Sequence, residues 1–140
     1  MKAKKWLISG LCLVSIFSSS MISVSADVKN GTNWQTAEYV NIPPNGGTKY
    51  NLTQGTKKTT SSNTASMKAS YGAWLTPYAR FITSGKADRS PAVGVTSSVA
   101  HPKLYTTVDN GDTLYTKMST SNLDPGYIEV SLKFAADHID

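Results

Sequence analysis

The chain has almost no cysteine: its 140 residues include one, Cys12. Cys12 lies inside the apolar run 7–17 near the N-terminus. If that run is removed with an export signal, the remaining chain has no thiol, which excludes disulfides, thiolate metal sites and cysteine nucleophiles. A lipid-modified Cys12 is the alternative, but Leu11 stands where such a site needs a small residue. The folded part must therefore be stabilised by packing alone.

Motifs for common enzyme chemistry are also missing. The sequence has no Gly-x-Ser-x-Gly elbow, no His-Glu-x-x-His and no glycine-rich phosphate loop. His101 and His138 are the only histidines. We expect His101 to belong to a turn and His138 to lie in a solvated C-terminal tail, residues 137–140. The alternative for this tail is a weak site for a divalent ion. Scattered carboxylates give no specific glycosidase pair. We therefore predict a non-enzymatic protein with no cofactor and no metal.

The one long apolar run is too short to cross a membrane. Residues 1–6 carry three lysines, residues 7–17 form the run, and Val24-Ser25-Ala26 supplies small residues before a cleavage site. This order is typical of a secretory signal peptide, whereas a spanning helix needs roughly 20 apolar residues. We predict a signal peptide over residues 1–26, one mature domain over residues 27–140, and a secreted, extracellular product that is released or held at the cell surface.

The net positive charge of the chain falls when the signal peptide is removed. The whole chain has a formal net charge of +5, but residues 1–26 hold three of the 14 lysines and arginines and none of the 9 acidic residues. The mature domain has 11 basic and 9 acidic residues, a net charge of +2. This balance argues against a nucleic-acid partner, which needs a concentrated basic patch. Most basic residues precede residue 104, so they form either a solvated face or a basic face for teichoic acid or anionic lipid.

Thr, Ser, Tyr and Val fill the mature chain in short alternating runs, separated by Gly, Asn, Asp and Pro. The pattern predicts an all-β fold of about seven or eight short strands, a small antiparallel β-sandwich or jelly-roll-like barrel. The predicted strands are 34–42, 48–53, two strands within 64–83 of which the second is 78–83, and then 92–100, 104–108, 113–118 and 127–134. We expect residues 54–63 to form a mobile polar loop.

Two of these segments have clear sequence signals for a strand or a turn, and a third fits either a strand or a helix. Residues 127–134 alternate apolar and polar side chains, which predicts a strand with one buried face. Residues 104–118 contain Asp109-Asn110-Gly111-Asp112, whose Asn-Gly pair favours a hairpin turn over the half calcium loop it resembles. Residues 64–83 also keep a helical spacing, but Gly72 and the serines weaken a helix.

Aromatic residues concentrate around residues 71–81. The predicted binding residues are Tyr71, Trp74, Tyr78, Arg80 and Phe81, because aromatic faces bind sugar rings or membrane interfaces and arginine stacks on them. Trp74 breaks the local alternation, so we expect it to be the most exposed aromatic. Further aromatics and a basic rim that we expect nearby are Trp34, Tyr39, Tyr50, Lys57, Lys58, Lys68, Arg80, Lys86 and Arg89. The alternative is that the aromatics form the core, since the chain has only three phenylalanines.

Cysteine is commonly avoided in proteins exported by Gram-positive bacteria, and the short, Lys-rich leader fits such a source. The chain pairs this export signal with a cysteine-free β domain rich in Tyr, Ser and Thr. In this organisation the chain resembles the lactococcin-972-type bacteriocins, and the resemblance implies a secreted protein that acts on other cells. Two functions are therefore expected. One is a binding or structural module at the bacterial cell envelope that contacts a cell-wall polymer, an anionic membrane surface or another protein. The alternative is a bacteriocin-like, membrane-permeabilising β protein.

Overall fold

In a computed structural model that describes residues 33–138, the chain is all-β and has two antiparallel sheets. The strands are β1 (Gln35–Ile42), β2 (Thr48–Lys57), β3 (Ser66–Tyr71), β4 (Tyr78–Ile82), β5 (Val93–Gly94), β6 (Thr113–Ser119) and β7 (Ile128–Ala135). The first sheet has the order β1-β7-β3 and the second the order β2-β6-β4-β5. Cys12 and the predicted signal peptide lie outside the described residues, so the signal peptide stays a prediction.

β7 is the central strand of the first sheet, where the sequence signal is clearest. Val130, Leu132 and Phe134 are fully buried on one face, and the strand pairs antiparallel with β1 on one side and β3 on the other. The period-2 pattern thus produces the strand predicted over residues 127–134, because a strand that buries only one face needs apolar residues at alternate positions.

One hydrophobic cluster contains residues from both sheets. The Phe81 ring of β4 meets the Phe134 ring of β7 edge to face, with centroids 6.3 Å apart and planes at 67°. This geometry is favourable because the positive edge of one ring faces the negative face of the other. The cluster comprises Ala37, Ile42, Ala65, Met67, Ala69, Ala79, Phe81, Val95, Leu104, Leu114, Met118, Ile128, Val130, Leu132, Phe134 and Ala136.

The predicted hairpin over residues 104–118 is wrong in its first half. β6 forms as expected, but β2 and β4 occupy its two edges, so residues 104–108 have no free edge to pair with. They form no strand; Leu104 N–H instead donates to the carbonyl of Asn63. The turn itself is confirmed at Asn110-Gly111, where Gly111 has φ 101° and its N–H donates to the carbonyl of Lys58.

Residues 54–63 are also different from the prediction of a mobile loop. β2 continues to Lys57, and the next residue is a buried lysine whose Nζ lies 2.6 Å from Oδ1 of Asp137. Asp137 also accepts hydrogen bonds from the backbone and hydroxyl groups of Thr59 and Thr60. The prediction of a solvated C-terminal tail is therefore wrong at Asp137, because this carboxylate is fully buried and joins the chain end to the end of β2.

The remaining strand predictions differ in their outcome. Residues 64–83 form two strands, β3 and β4, with Pro77 buried between them. Residues 92–100 contain only the two-residue β5, which pairs with the start of β4. The rest of that segment is tied to β3 by single contacts, such as the bridge between Met67 and Ala100.

Candidate functional site

The alternation of β4 divides three of the predicted binding residues between two faces. Tyr78 and Arg80 lie on the outer face of the second sheet, and Phe81 lies in the core with no exposed surface. Phe81 is therefore a packing residue, because consecutive side chains of a strand point to opposite faces. Arg80 is not a free cation, since its guanidinium forms an ion pair with Asp88.

The other two predicted residues lie near the start of the loop that joins β3 to β4. Tyr71, the last residue of β3, is partly buried and packs against the core cluster. Trp74 is 91% exposed, the highest value among the large hydrophobic residues in the described part of the chain. The expectation that Trp74 is the most exposed aromatic is confirmed, and the structure separates it from the core-facing Tyr71.

The outer face of the second sheet brings an aromatic ring and several cations together. Tyr50 of β2 is opposite Lys117 of β6, and Lys117 is opposite Arg80 of β4, so the three lie in one row across the sheet. Nζ of Lys117 is 5.4 Å from the centroid of the Tyr50 ring, within the range of a cation–π contact. We call the surface made by Tyr50, Tyr78, Arg80, Lys86 and Lys117 the aromatic–basic face.

The segment 83–89 brings the fifth member, Lys86, onto this face. Lys86 has φ 68°, and its N–H donates to the carbonyl of Thr83, which forms a tight turn back over the sheet. Nζ of Lys86 lies 4.8 Å from the centroid of the Tyr50 ring. Two ammonium groups thus contact one exposed tyrosine, and among residues 33–138 neither of them has a carboxylate partner in an ion pair.

The predicted basic rim is only partly assembled. Arg80 and Lys86 belong to the aromatic–basic face, whereas Lys58 is buried against Asp137. Lys68 lies on the first sheet, with Nζ 5.8 Å from the centroid of the Trp34 ring. Lys117 belongs to the aromatic–basic face although it is not among the predicted residues. The alternation within 113–118, which places Tyr115 and Lys117 on one face, is the signal that identifies it.

A groove lies between β1 and β2, the edge strands of the two sheets, and has a volume of about 410 Å³. Each of these strands has a bulge there. In β1 the residues between Ala37 and Val40 face only Ser131, and in β2 four residues between Asn51 and Thr56 face only Tyr115. Bulges re-aim side chains and are frequent beside functional sites. The residues that line this groove include Glu38, Tyr39, Lys49, Tyr50, Asn51 and Gln54.

Two residues of the groove are held in unusual states. Tyr39 has φ 52°, a backbone conformation that bulky residues rarely adopt, although its side chain is 70% exposed. Asn51 is only 7% exposed, and its Oδ1 accepts hydrogen bonds from the backbone and hydroxyl groups of Thr53. Its Nδ2 has no hydrogen-bond partner. The sequence contains no signal for either state, because both depend on how the bulges fold.

Exposed apolar side chains gather at the end of the molecule where β3 ends and β7 begins. Trp74 lies in the β3–β4 loop, and Leu123 and Tyr127, which are 79% and 72% exposed, lie in the β6–β7 loop. Gly72 and Tyr127 line one shallow depression, so the two loops are adjacent. We call Trp74, Leu123 and Tyr127 the apolar loop end.

The two histidines come together although the sequence separates them widely. The ring centroids of His101 and His138 are 4.1 Å apart, and Ser66 Oγ lies 3.4 Å from Nδ1 of His138. Within residues 33–138 no group of three or more His, Cys, Asp or Glu side chains is placed to hold a metal ion. The same part of the chain contains no helix that is long and apolar enough to cross a membrane.

Comparison with known proteins gives no relative from which a role could be transferred. The chain matches no protein-family model, no curated protein and no solved structure. The aromatic–basic face, the groove and the apolar loop end are therefore the features of the fold that point to a function.

Proposed function

We propose that the protein is a secreted, non-enzymatic β-sandwich that binds an anionic polymer of the bacterial cell envelope through the aromatic–basic face. The observation that carries this proposal is the pair of ammonium groups on the Tyr50 ring, with Nζ of Lys86 at 4.8 Å and Nζ of Lys117 at 5.4 Å. Lys86 is exposed and Lys117 is partly exposed, so both can reach a phosphate group while the ring contacts a sugar or glycerol unit.

The charge arrangement on this face favours an anionic ligand. Asp88 is paired with Arg80, and it forms no ion pair with either lysine. Like charges that share one ring repel each other, and a bound phosphate would relieve that repulsion. A teichoic acid carries such phosphates at regular intervals, and several weak contacts along one polymer add through effective concentration.

Replacing Lys86 and Lys117 together with glutamine is expected to weaken binding of residues 27–140 to poly(glycerol phosphate) about thirtyfold. The reason is that each lysine close to an anionic surface contributes about 1 kcal/mol. Fluorescence anisotropy with a labelled polymer measures the change. Binding by the wild-type protein should also weaken as the salt concentration rises, because salt screens exposed charges.

A matched control removes two lysine charges from outside the aromatic–basic face. The pair Lys103→Gln and Lys133→Gln leaves the second sheet intact, because Lys103 bridges to Thr64 and Lys133 lies on β7. This variant is expected to bind within about twofold of the wild type. Equal weakening by the two variants would show that only net charge matters and would contradict a specific face.

The apolar loop end favours a second candidate function, contact with an anionic membrane surface or its permeabilisation. Tryptophan and tyrosine are enriched at membrane interfaces, where one part of the ring is dry and the other wet. Trp74, Leu123 and Tyr127 are all largely exposed and lie in two adjacent loops. Exposed apolar groups of this kind have no packing role in the fold.

Trp74→Ala is the variant that tests this second function. If the loop end permeabilises membranes, wild-type protein releases dye from anionic liposomes and Trp74→Ala releases less than a tenth as much. Because Trp74 is 91% exposed, the substitution is expected to leave the unfolding midpoint unchanged. Binding to insoluble cell wall without dye release would support the envelope-binding function instead, and absence of both would contradict both candidates.

A further inference from the structure

The groove between β1 and β2 is separate from the aromatic–basic face but continuous with it, since Tyr50 contributes to both. We propose that this groove binds one uncharged sugar unit that carries an acetamido group. The inference deepens the proposed function, since the sugar would belong to a polymer of the same envelope. It depends on Tyr39 and Asn51, which are not part of the aromatic–basic face, so it can fail or hold independently.

Tyr39 is the first observation that supports the proposal. Its φ of 52° is unfavourable for a bulky side chain, and its ring is 70% exposed, so packing in the core does not explain why a tyrosine occupies the position. Backbone strain of this kind occurs mainly where the surrounding structure holds a residue for function. The backbone is held by the bulge and by a hydrogen bond from Tyr39 N–H to Oγ of Ser131.

Asn51 supplies the second observation. Asn51 lines the groove and is more than nine-tenths buried, and hydrogen bonds from Thr53 N–H and Thr53 Oγ1 to Oδ1 fix the orientation of its side chain. Its Nδ2 group has two N–H donors and no acceptor. A buried donor without a partner is costly, and an acetamido carbonyl is a strong acceptor that would satisfy it.

The other groups that line the groove determine which ligand fits. Tyr39 provides aromatic surface for the apolar face of a sugar ring, and Gln54 provides hydrogen-bonding groups for hydroxyls. Glu38 and Lys49 have opposite charges, so the groove has no net charge to favour an ionic ligand. Its volume of about 410 Å³ lies within the usual range of small-molecule sites.

The nearby Thr116 suggests a different use for the Asn51 donor. Thr116 is opposite Asn51 across the strand pair, and its Oγ1 is also buried without a partner. Both atoms could serve a polar site inside the protein, bridged by one water molecule, with no role in ligand binding. The experiment must therefore separate a sugar site from an internal polar site.

The test is a titration of residues 27–140 with soluble oligomers of N-acetylglucosamine, followed by NMR chemical shifts and by calorimetry. Saturable binding is expected, with the largest shifts at residues of β1 and β2 that line the groove. Tyr39→Asn is expected to weaken binding at least tenfold. Asparagine tolerates a positive φ better than tyrosine, so this variant should unfold at the same or a higher temperature. Absence of saturable binding, or a Tyr39→Asn protein that binds within twofold of the wild type, would overturn the proposal.

Tyr105→Asn is the matched control, because Tyr105 is an exposed tyrosine outside the groove, the aromatic–basic face and the apolar loop end. It is expected to bind the oligomers as the wild type does, and a tenfold loss there would count against the groove. Asn51→Asp converts the free donor into an acceptor while it keeps Oδ1. If this variant folds and still binds the oligomers as the wild type does, the Asn51 amide has a structural role inside the protein and the proposal is overturned. If the variant does not fold, the binding by Tyr39→Asn is the test of the proposal.

Binding of poly(glycerol phosphate) is measured on the same samples. Tyr39→Asn is expected to retain it, because Tyr39 is not part of the aromatic–basic face. The double variant of Lys86 and Lys117 is expected to retain sugar binding while losing polymer binding. The two sites can thus fail separately, and a loss of both activities in Tyr39→Asn would contradict a sugar site distinct from the face.

Discussion

Asp137→Ala is expected to lower the free energy of unfolding at neutral pH by about 3–5 kcal/mol, the usual cost of removing one partner from a buried ion pair. Asp137 is fully buried and its Oδ1 lies 2.6 Å from Nζ of Lys58, which is also buried. Without the carboxylate, the Lys58 ammonium would remain in the interior without its counter-charge. Urea unfolding followed by circular dichroism measures the change.

The same carboxylate gives a pH dependence with a definite sign. Burial alone would raise the pKa of Asp137, but hydrogen bonds from Lys58, Thr59 and Thr60 outweigh it and hold the pKa well below its ordinary value. The stabilisation is therefore complete above the unfolded-state pKa of about 4 and is lost as the pH falls below it. Asp137→Asn should show a shallower loss of stability between pH 4 and pH 2 than the wild type.

Two further variants test the Asp137 prediction. Asp109→Ala removes an exposed carboxylate and is expected to change stability by less than about 0.5 kcal/mol. Replacing both partners, Lys58→Met with Asp137→Leu, should recover most of the loss, because an apolar pair needs no counter-charge. A stable Asp137→Ala protein with an unchanged acid transition would show that the carboxylate does not hold the chain end in solution.

The Lys58–Asp137 pair also illustrates what the sequence could not predict. Lysine in a run of Thr and Ser is typical of a solvated loop, and an acidic residue near the C-terminus is typical of a free tail. The partners are 79 positions apart, so no local pattern links them. By contrast, β7 was predictable because apolar alternation is a property of a few consecutive residues and needs no knowledge of the strand's neighbours.

The wrong hairpin has the same physical origin. The Asn110-Gly111 turn follows from local backbone preferences and is present, but a hairpin also requires that the two flanking segments pair with each other. That pairing is a competition among all strands, and β2 and β4 pair with β6 instead.

The candidate sites also combine features that follow from neighbouring residues in the sequence with features that depend on distant parts of the chain. Trp74 was predictable as an exposed aromatic because its exposure follows from the local pattern. The role of Tyr50 depends on Lys86, which reaches it from a different part of the chain. The strained backbone of Tyr39 and the unpaired amide of Asn51 depend on bulges, whose positions are set by the partner strand.

Phe81→Ala is expected to destabilise the fold by about 3–5 kcal/mol, the range observed when a buried phenylalanine is truncated. Phe81 has no exposed surface, and its ring packs edge to face on Phe134 of the other sheet. The cavity would lie between the sheets, where neither neighbour can close it without moving a strand. The midpoint of urea unfolding measures the effect, and Phe81→Leu, which removes less volume, should lose less stability and allow the comparison if the alanine variant does not fold.

Tyr78→Ala is the control on the same strand, since Tyr78 lies on the outer face and is exposed. It is expected to cost less than about 1 kcal/mol, because little buried surface is lost. The pair of variants also decides between the two roles that sequence and structure give to Phe81. If Phe81→Ala kept the wild-type stability and lost polymer binding, Phe81 would be a binding residue, and the side chain would have to leave the core to reach the ligand. A large loss of stability in Phe81→Ala, with wild-type polymer binding by folded Phe81→Leu, would instead assign Phe81 to packing between the two sheets.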